Sequence, residues 1–271
     1  MDLQLIGKKA LVTGSSKGIG EAIAKKLAIE KATVIVHGRD KAQVEKVAND
    51  IVVQGGSAYA VVGDLTHDDD VQRLVEDAVK LAGPIDILVN NAGGSGGSKE
   101  NWANALPASW VAAYDRNVLA ALRVTTALLP SMRLAGWGRV INISSVAATL
   151  APANAPDYSA SKAAINAMTA SMAKAVAAEG ITVNAVSPGT IHSLALDTAF
   201  RQVAAAREVA DKDAPWEVIE RAVLPMFAQV PVGRVGRLDE IADAIAFLTS
   251  PLAGYITGVN LRVDGGLSPI L

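Results

Sequence analysis

Tyr158 and Lys162 stand four residues apart in the stretch Asp157-Tyr158-Ser159-Ala160-Ser161-Lys162, and Ser145 lies upstream of them. On a helix, that spacing places the phenol and the ammonium on one face. A fixed positive charge beside a phenol favours phenolate and lowers its pKa. A tyrosine so placed becomes a proton donor and acceptor usable near neutral pH. An ordinary exposed helix offers the same pair by chance, so this chemistry needs support from elsewhere in the chain.

That support stands near the N-terminus. The apolar run Lys9 to Thr13 ends in Gly14-Ser15-Ser16-Lys17-Gly18-Ile19-Gly20, and the amphipathic stretch Glu21 to Glu30 follows. Strand, glycine-rich turn and helix together aim backbone N–H groups and a helix N-terminus at a phosphate. The spacing is G-x-x-x-G-x-G rather than the commoner G-x-G-x-x-G, and a tight βα turn without a ligand is the alternative. The next strand, Ala32 to His37, ends in Gly38-Arg39-Asp40. An NAD-binding fold places an acidic residue at about this point to meet the ribose hydroxyls. Here Arg39 is suited to grip a 2′-phosphate, and Lys17 adds a second cation. Both favour NADP(H). Asp40 keeps NAD(H) possible if it meets a ribose; otherwise it caps the following helix.

These groups need a scaffold, and the rest of the sequence spells an α/β alternation. Helices are predicted over 41–54 and 67–82, the second capped by Thr66 or a neighbouring acid, and strands over 58–62 and 85–90. Two helices follow, around 107–116 and 117–135, with Asn117 on the second. A strand lies within 137–144, a long helix over 158–179, a strand over 181–186, a helix over 238–249 and a last strand over 258–263. One helix between successive strands implies right-handed crossovers and a parallel sheet with helices on both faces, of about seven strands, in one domain spanning residues 1–271. Thr13, Gly38-Arg39, Asp64 and Asn91 all fall at strand carboxyl ends, where such sheets bind ligands. Gly93 to Ser98 reads as a flexible loop. The helical segment 192–232 is long enough to act as a lid or substrate wall.

Composition sets limits. The chain has 271 residues, no cysteine, three histidines and a net charge of −2. Without cysteine there are neither disulfides nor thiolate metal ligands, which fits a cytoplasmic setting, and no paired histidine spacing suggests a metal site. The charge balance argues against nucleic acid or an anionic membrane as partner. No signal peptide and no uninterrupted apolar stretch of about 18 residues is read. The residues around Ser145 do not form the G-x-S-x-G of a serine hydrolase.

Taken together, the motifs resemble the short-chain dehydrogenase/reductases, in the subgroup that includes 3-oxoacyl-carrier-protein reductases. The markers are Thr13 to Gly20, Asp64-Leu65, Asn90 to Gly93, Asn117, Ile143 to Ser145, Tyr158 to Lys162, Pro188-Gly189 and Asp264 to Gly266, in family order over nearly the whole chain. The resemblance selects Ser145 over Ser144 by its distance from Tyr158. It implies ketone reduction with Tyr158 protonating the carbonyl oxygen while nicotinamide delivers hydride, and Ser145 holding that oxygen. Lys162 would bind the nicotinamide ribose and depress the Tyr158 pKa; Asn117 would position a water that restores the proton. Asp64 would accept from the adenine amino group, with Leu65 and Asn91 bordering the adenosine and Ala92 and Gly93 also binding the cofactor, and Pro188, Gly189, Thr190 and Ile191 would lie against the nicotinamide. The resemblance further implies a small carbonyl or alcohol substrate and a homotetramer packed through the helices carrying Asn117 and Tyr158. Lys31, where a glycine often ends the first helix, and Ala148 depart from the family pattern.

Overall fold

Alternating apolar strands and amphipathic helices build a single seven-stranded sheet, every strand parallel to its neighbours, in the order β3-β2-β1-β4-β5-β6-β7. The computed structural model describes residues 1–95 and 101–269; residues 96–98 of the glycine-serine loop lie outside them. The strands are β1 (Lys9–Val12), β2 (Thr33–Gly38), β3 (Ser57–Val62), β4 (Ile87–Asn90), β5 (Gly138–Ile143), β6 (Ile181–Pro188) and β7 (Asn260–Val263). Each central strand is buried on both faces, which is why β1, β4, β5 and β6 read as near-continuous apolar runs rather than alternating ones.

Helices α1 (Gly18–Ile29), α2 (Lys41–Val53) and α10 (Leu238–Thr249) cover one face through Ile23, Leu27, Val44, Ile51, Ile241 and Ile245. Helices α3 (Asp68–Ala82), α5 (Ala120–Ala135) and α7 (Pro156–Val176) cover the other through Leu74, Val124, Leu128, Met132, Ala173 and Val176. Short helices α4 (Pro107–Tyr114) and α6 (Ala147–Leu150) lie near the start of α7, and α8 (Leu194–Ala206) and α9 (Trp216–Phe227) follow β6. Helix α3 begins at Asp68 with His67 at the N-cap position; Thr66 instead donates both its N–H and its hydroxyl to Asp64 Oδ1. The predicted break between two helices near Asn117 is a continuous helical run interrupted by a π turn, Asp115–Leu119, which carries Asn117. Over Pro107–Ala135 this run is long and apolar enough to cross a membrane, with a mean hydropathy of 1.3 in its most apolar window. In the fold it seats Val118, Val124, Leu128 and Met132 among buried neighbours.

Two turns show how the chain enforces its crossovers. Lys31 adopts φ +70°, so the first helix ends in the left-handed turn that glycine would favour, made here by a lysine. Gly180, at φ +78°, stops the helical run before β6, and a Cβ there would sit 2.1 Å from Gly136 O. Gly180→Ala combines a disfavoured backbone with a backbone clash, so chemical denaturation is expected to show a loss of at least roughly 2 kcal/mol.

Candidate active site

The parallel sheet brings its strand carboxyl ends to one edge, and there a cavity of about 780 Å³ opens. From the glycine turn Gly14, Ser16, Lys17, Ile19 and Gly20 line it. From the ends of β2, β3 and β4 come Arg39, Asp64, Leu65, Asn91, Ala92 and Gly93; Ser145, Tyr158 and Lys162 close one side, and Pro188, Gly189 and Ile191 another. Residues widely scattered in sequence thus share one space. Four predicted site residues lie off the cavity wall: Ser15, Gly18, Thr190 and Asn117.

Ser15 is fully buried. Its hydroxyl donates to Val12 O at 2.7 Å and accepts from His37 N at 3.0 Å, and its own N–H donates to His37 O at 2.8 Å. Gly14 N donates to His37 Nδ1 at 3.1 Å. The first two amides of the turn therefore face the sheet, not the cavity. The anion-directed donors begin later, at the start of α1. Lys17 occupies the N-cap position there and no side chain caps the helix, so its first N–H groups remain available to a phosphate. Gly20 belongs to this first turn; a Cβ on it would lie 2.4 Å from both Gly14 O and Asn91 Nδ2. Asn91 also stitches the turn to β4: its Nδ2 donates to Thr13 O and Gly14 O, and its N–H to Thr13 Oγ1.

At the end of β2 the two charged residues part ways. Asp40 is turned away to cap α2, accepting from Gln43 N. Arg39 stays at the cavity, its side chain 81% exposed and 3.8 Å from Asp64 Oδ2. Asp64 is held below the usual carboxylate range, first by the backbone hydrogen bond from Thr66 and then by the Thr66 hydroxyl and by the charges of Arg39 and His67. With Oδ1 taken by Thr66, Oδ2 is the oxygen left toward Arg39. Arg116 also lines the cavity, donating to Gly94 O and Ser95 O; nothing in its sequence surroundings marked it.

On the catalytic side, β5 delivers Ser145 just past its last residue, and α7 carries Tyr158 and Lys162 one turn apart. Lys162 is 4% exposed, donates to Ile143 O at 2.7 Å, and burial lowers its pKa to about 8. Its Nζ lies 5.8 Å from the centre of the Tyr158 ring. The tyrosine does not show the lowering expected from that ammonium. Burial pushes its pKa up, opposed only by a hydrogen bond with the Ser145 hydroxyl. The reason is the shared low-dielectric setting, which penalises phenolate and ammonium alike.

Asn117 is buried, with its side chain engaged on three sides. Oδ1 accepts from Gly94 N at 2.7 Å, and Nδ2 lies within hydrogen-bonding reach of Gly94 O, Ala113 O and Ser161 Oγ. It couples the loop after β4 to α7. Below, Asn90 Nδ2 donates to Thr125 Oγ1 and Asn142 Oδ1, and Asn142 Nδ2 to Thr169 Oγ1, so β4, β5, α5 and α7 share one buried polar network.

The helical segment after β6 comprises α8 and α9, with a small core of Phe200, Ala204, Ile219, Val223, Leu224 and Val235. His192 stacks on Trp216 at 4.0 Å, and Phe200 stacks on the same indole at 5.7 Å. Ile191 and Ser193 reach the cavity from the start of this segment.

A family model described as short chain dehydrogenase matches residues 8–204. The 3-oxoacyl-[acyl-carrier-protein] reductase FabG of Pseudomonas aeruginosa is 34% identical over 98% of this chain and 99% of its own length. Nodulation protein G of Azospirillum brasilense is 36% identical over 96% of this chain and 98% of its own. The crystal structure of L-sorbose reductase from Gluconobacter frateurii, complexed with NADPH and L-sorbose, superposes with a TM-score of 0.91 at 31% identity, covering the whole of both chains.

His37, 2% exposed, has its pKa lowered to about 4 by burial, with the Gly63 carbonyl and Asp64 opposing. The unfolded imidazole titrates near 6.5, so below that pH the unfolded chain binds a proton that the folded chain refuses. The stability held above pH ~6.5 is therefore expected to fall as pH drops toward 4, by about 3 kcal/mol from this group. Denaturation midpoints across that window check it, against a His37→Gln variant that lacks the proton-binding step.

Proposed function

The chain belongs to the short-chain dehydrogenase family, and from that premise we propose that it transfers hydride between NADP(H) and a ketone or secondary alcohol, with Tyr158 as the general acid and base. The observation that supports this most is the single cavity in which Ser145, Tyr158 and Lys162 face the glycine turn and the cations Lys17 and Arg39. An uncapped helix N-terminus, a glycine at position 20 that leaves room for close approach, and cations at the turn suit a dinucleotide carrying a 2′-phosphate. NADP(H) supplies the hydride chemistry when bound; the chain supplies placement, charge and proton transfer.

In this reading the first-turn amides of α1 and Lys17 hold the pyrophosphate, Arg39 the 2′-phosphate, and Asp64, Leu65, Asn91, Ala92 and Gly93 the adenosine. Pro188, Gly189, Thr190 and Ile191 flank the nicotinamide side, Thr190 through its backbone. Ser145 donates to the substrate oxygen and favours the negative charge that develops there. Tyr158, kept protonated by burial, gives its proton to that oxygen. Lys162, whose charge burial makes costly, has that charge stabilised beside ribose hydroxyls and the developing phenolate. Asn117 holds the Gly94 loop against α7 so that these groups keep their spacing. The segment 192–232 forms the substrate wall. A homotetramer packed through α5 and α7 completes the reading, and sedimentation of the purified protein as a monomer would remove it.

Two measurements test the site. Tyr158→Phe is expected to lower kcat by about a hundredfold or more while leaving the NADPH Kd within about threefold; near-normal turnover would refute the proton-transfer role. A panel with a 3-oxoacyl thioester, a keto sugar and simple ketones is expected to run at least about tenfold better with NADPH than with NADH. Arg39→Ala should erase most of that margin. A wild-type preference for NADH would instead favour an NAD(H)-dependent alcohol dehydrogenase.

A further inference from the structure

His37 interrupts an otherwise apolar strand, in the run Val34-Ile35-Val36-His37-Gly38, and only its position at the carboxyl end of β2 separates it from a core residue. A buried imidazole is tolerated where both ring nitrogens have partners. Here they do, and the partners belong to two different loops. Nδ1 lies 3.1 Å from Gly14 N, and Nε2 lies 3.1 Å from Gly63 O. A backbone N–H can only donate and a backbone carbonyl can only accept, so the proton sits on Nε2 and the ring is the neutral Nε2–H tautomer. The main chain of His37 adds two more ties to the glycine turn, through Ser15 N and Ser15 Oγ.

The two loops it bridges have separate tasks in the cofactor reading above, on which this inference rests. Gly14 opens the turn that leads to the pyrophosphate-facing start of α1. Gly63 immediately precedes Asp64, on the adenosine side. The opposite flank of the turn is equally fixed: Gly14 holds φ +63°, and a Cβ on it would approach Ala92 Cα to 2.8 Å. The turn is thus wedged between β4's loop and the imidazole. We propose that His37 is a positioning residue for the dinucleotide, setting the span between the pyrophosphate turn and the adenosine loop through one bridging imidazole. It borders the cavity, but both its ring nitrogens are committed to Gly14 and Gly63, and it acts through those two residues.

The role separates a ligand that needs both loops from one that needs a single loop. NADPH spans both. Adenosine 2′-monophosphate carries adenine and the 2′-phosphate but no pyrophosphate. In His37→Leu, which strands the Gly14 N–H and the Gly63 carbonyl, the NADPH Kd is expected to rise about tenfold or more. Adenosine 2′-monophosphate should weaken by less than about threefold, and kcat at saturating NADPH should stay within about threefold, because Ser145, Tyr158 and Lys162 keep their places. Equal weakening of both ligands, or an NADPH Kd within twofold of wild type, overturns the proposal.

The pair His37→Asn and His37→Gln carries the test independently should the leucine variant not fold. Asparagine Oδ1 can stand near the Nδ1 position and accept from Gly14 N, whereas the glutamine amide reaches toward Gly63 O. NADPH is expected to bind the asparagine variant at least about threefold more tightly than the glutamine variant, since the turn lies nearer the pyrophosphate; equality or the reverse order overturns it. Wild-type protein in the same titration keeps the two readings apart. A wild type that binds neither NADPH nor NADH removes the cofactor assignment itself and this inference with it. A wild type that binds, beside variants that bind equally well, removes only the role of His37.

Discussion

Parallel hydrogen bonding between all seven strands is the constraint on which everything else rests. It forces every strand to finish at the same edge, so loops far apart in sequence must meet there. It also requires a crossover between successive strands, which supplies helices to both faces and buries the central strands completely. The cost is an edge crowded with backbone amides and carbonyls that no neighbouring strand satisfies. The chain meets that demand with a few side chains from neighbouring strand ends. Asn91 serves Thr13 and Gly14, His37 serves Gly14 and Gly63, and Thr66 folds back on Asp64. The ligand cavity is what remains once these bonds are made.

A second layer of constraint lies beneath the catalytic side. The buried polar network of Asn90, Thr125, Asn142 and Thr169 joins two strands to two helices. Such a network tolerates few alternative packings, because a shifted partner leaves a buried donor unsatisfied. It fixes the height of α7 on the sheet, and with it the reach of Tyr158 and Lys162 into the cavity. Asn117 performs the same service from the π turn, where the extra residue rotates the helix face.

Most of the architecture was legible in the sequence because strand ends and glycine turns obey local rules. The apolar runs at β1, β4 and β6, the stops at Gly83 and Gly180, and the helix 238–249 all follow from neighbours within a few residues. That the sheet is parallel with helices on both faces followed from one helix per crossover, whereas the strand order β3-β2-β1-β4-β5-β6-β7 came only from the structure. What escaped depends on distant partners. The π turn at Asn117 leaves no mark in a sequence that is helical on both sides of it. Ser15 looked like any residue of a phosphate turn, and only the β2 backbone shows that it points inward. The Tyr158–Lys162 spacing correctly placed the pair on one face, but spacing carries no dielectric, so burial reversed the expected direction of the tyrosine shift. His37 offered one usable signal, a lone polar side chain closing a β-branched strand just before a glycine.

The two helices after β6 have a core of their own, with Phe200 against Trp216, and Ile219, Val223 and Leu224 alongside. Arg201 braces the turn between them by donating to Lys212 O and Ala214 O. Among the described residues only Ser193, just ahead of α8, reaches the cavity from this stretch, so a change inside the unit's core acts on the cavity at one remove. Because that core shares no residue with the two that pack the sheet, the unit can loosen or tighten as a body of its own while the sheet edge stays fixed.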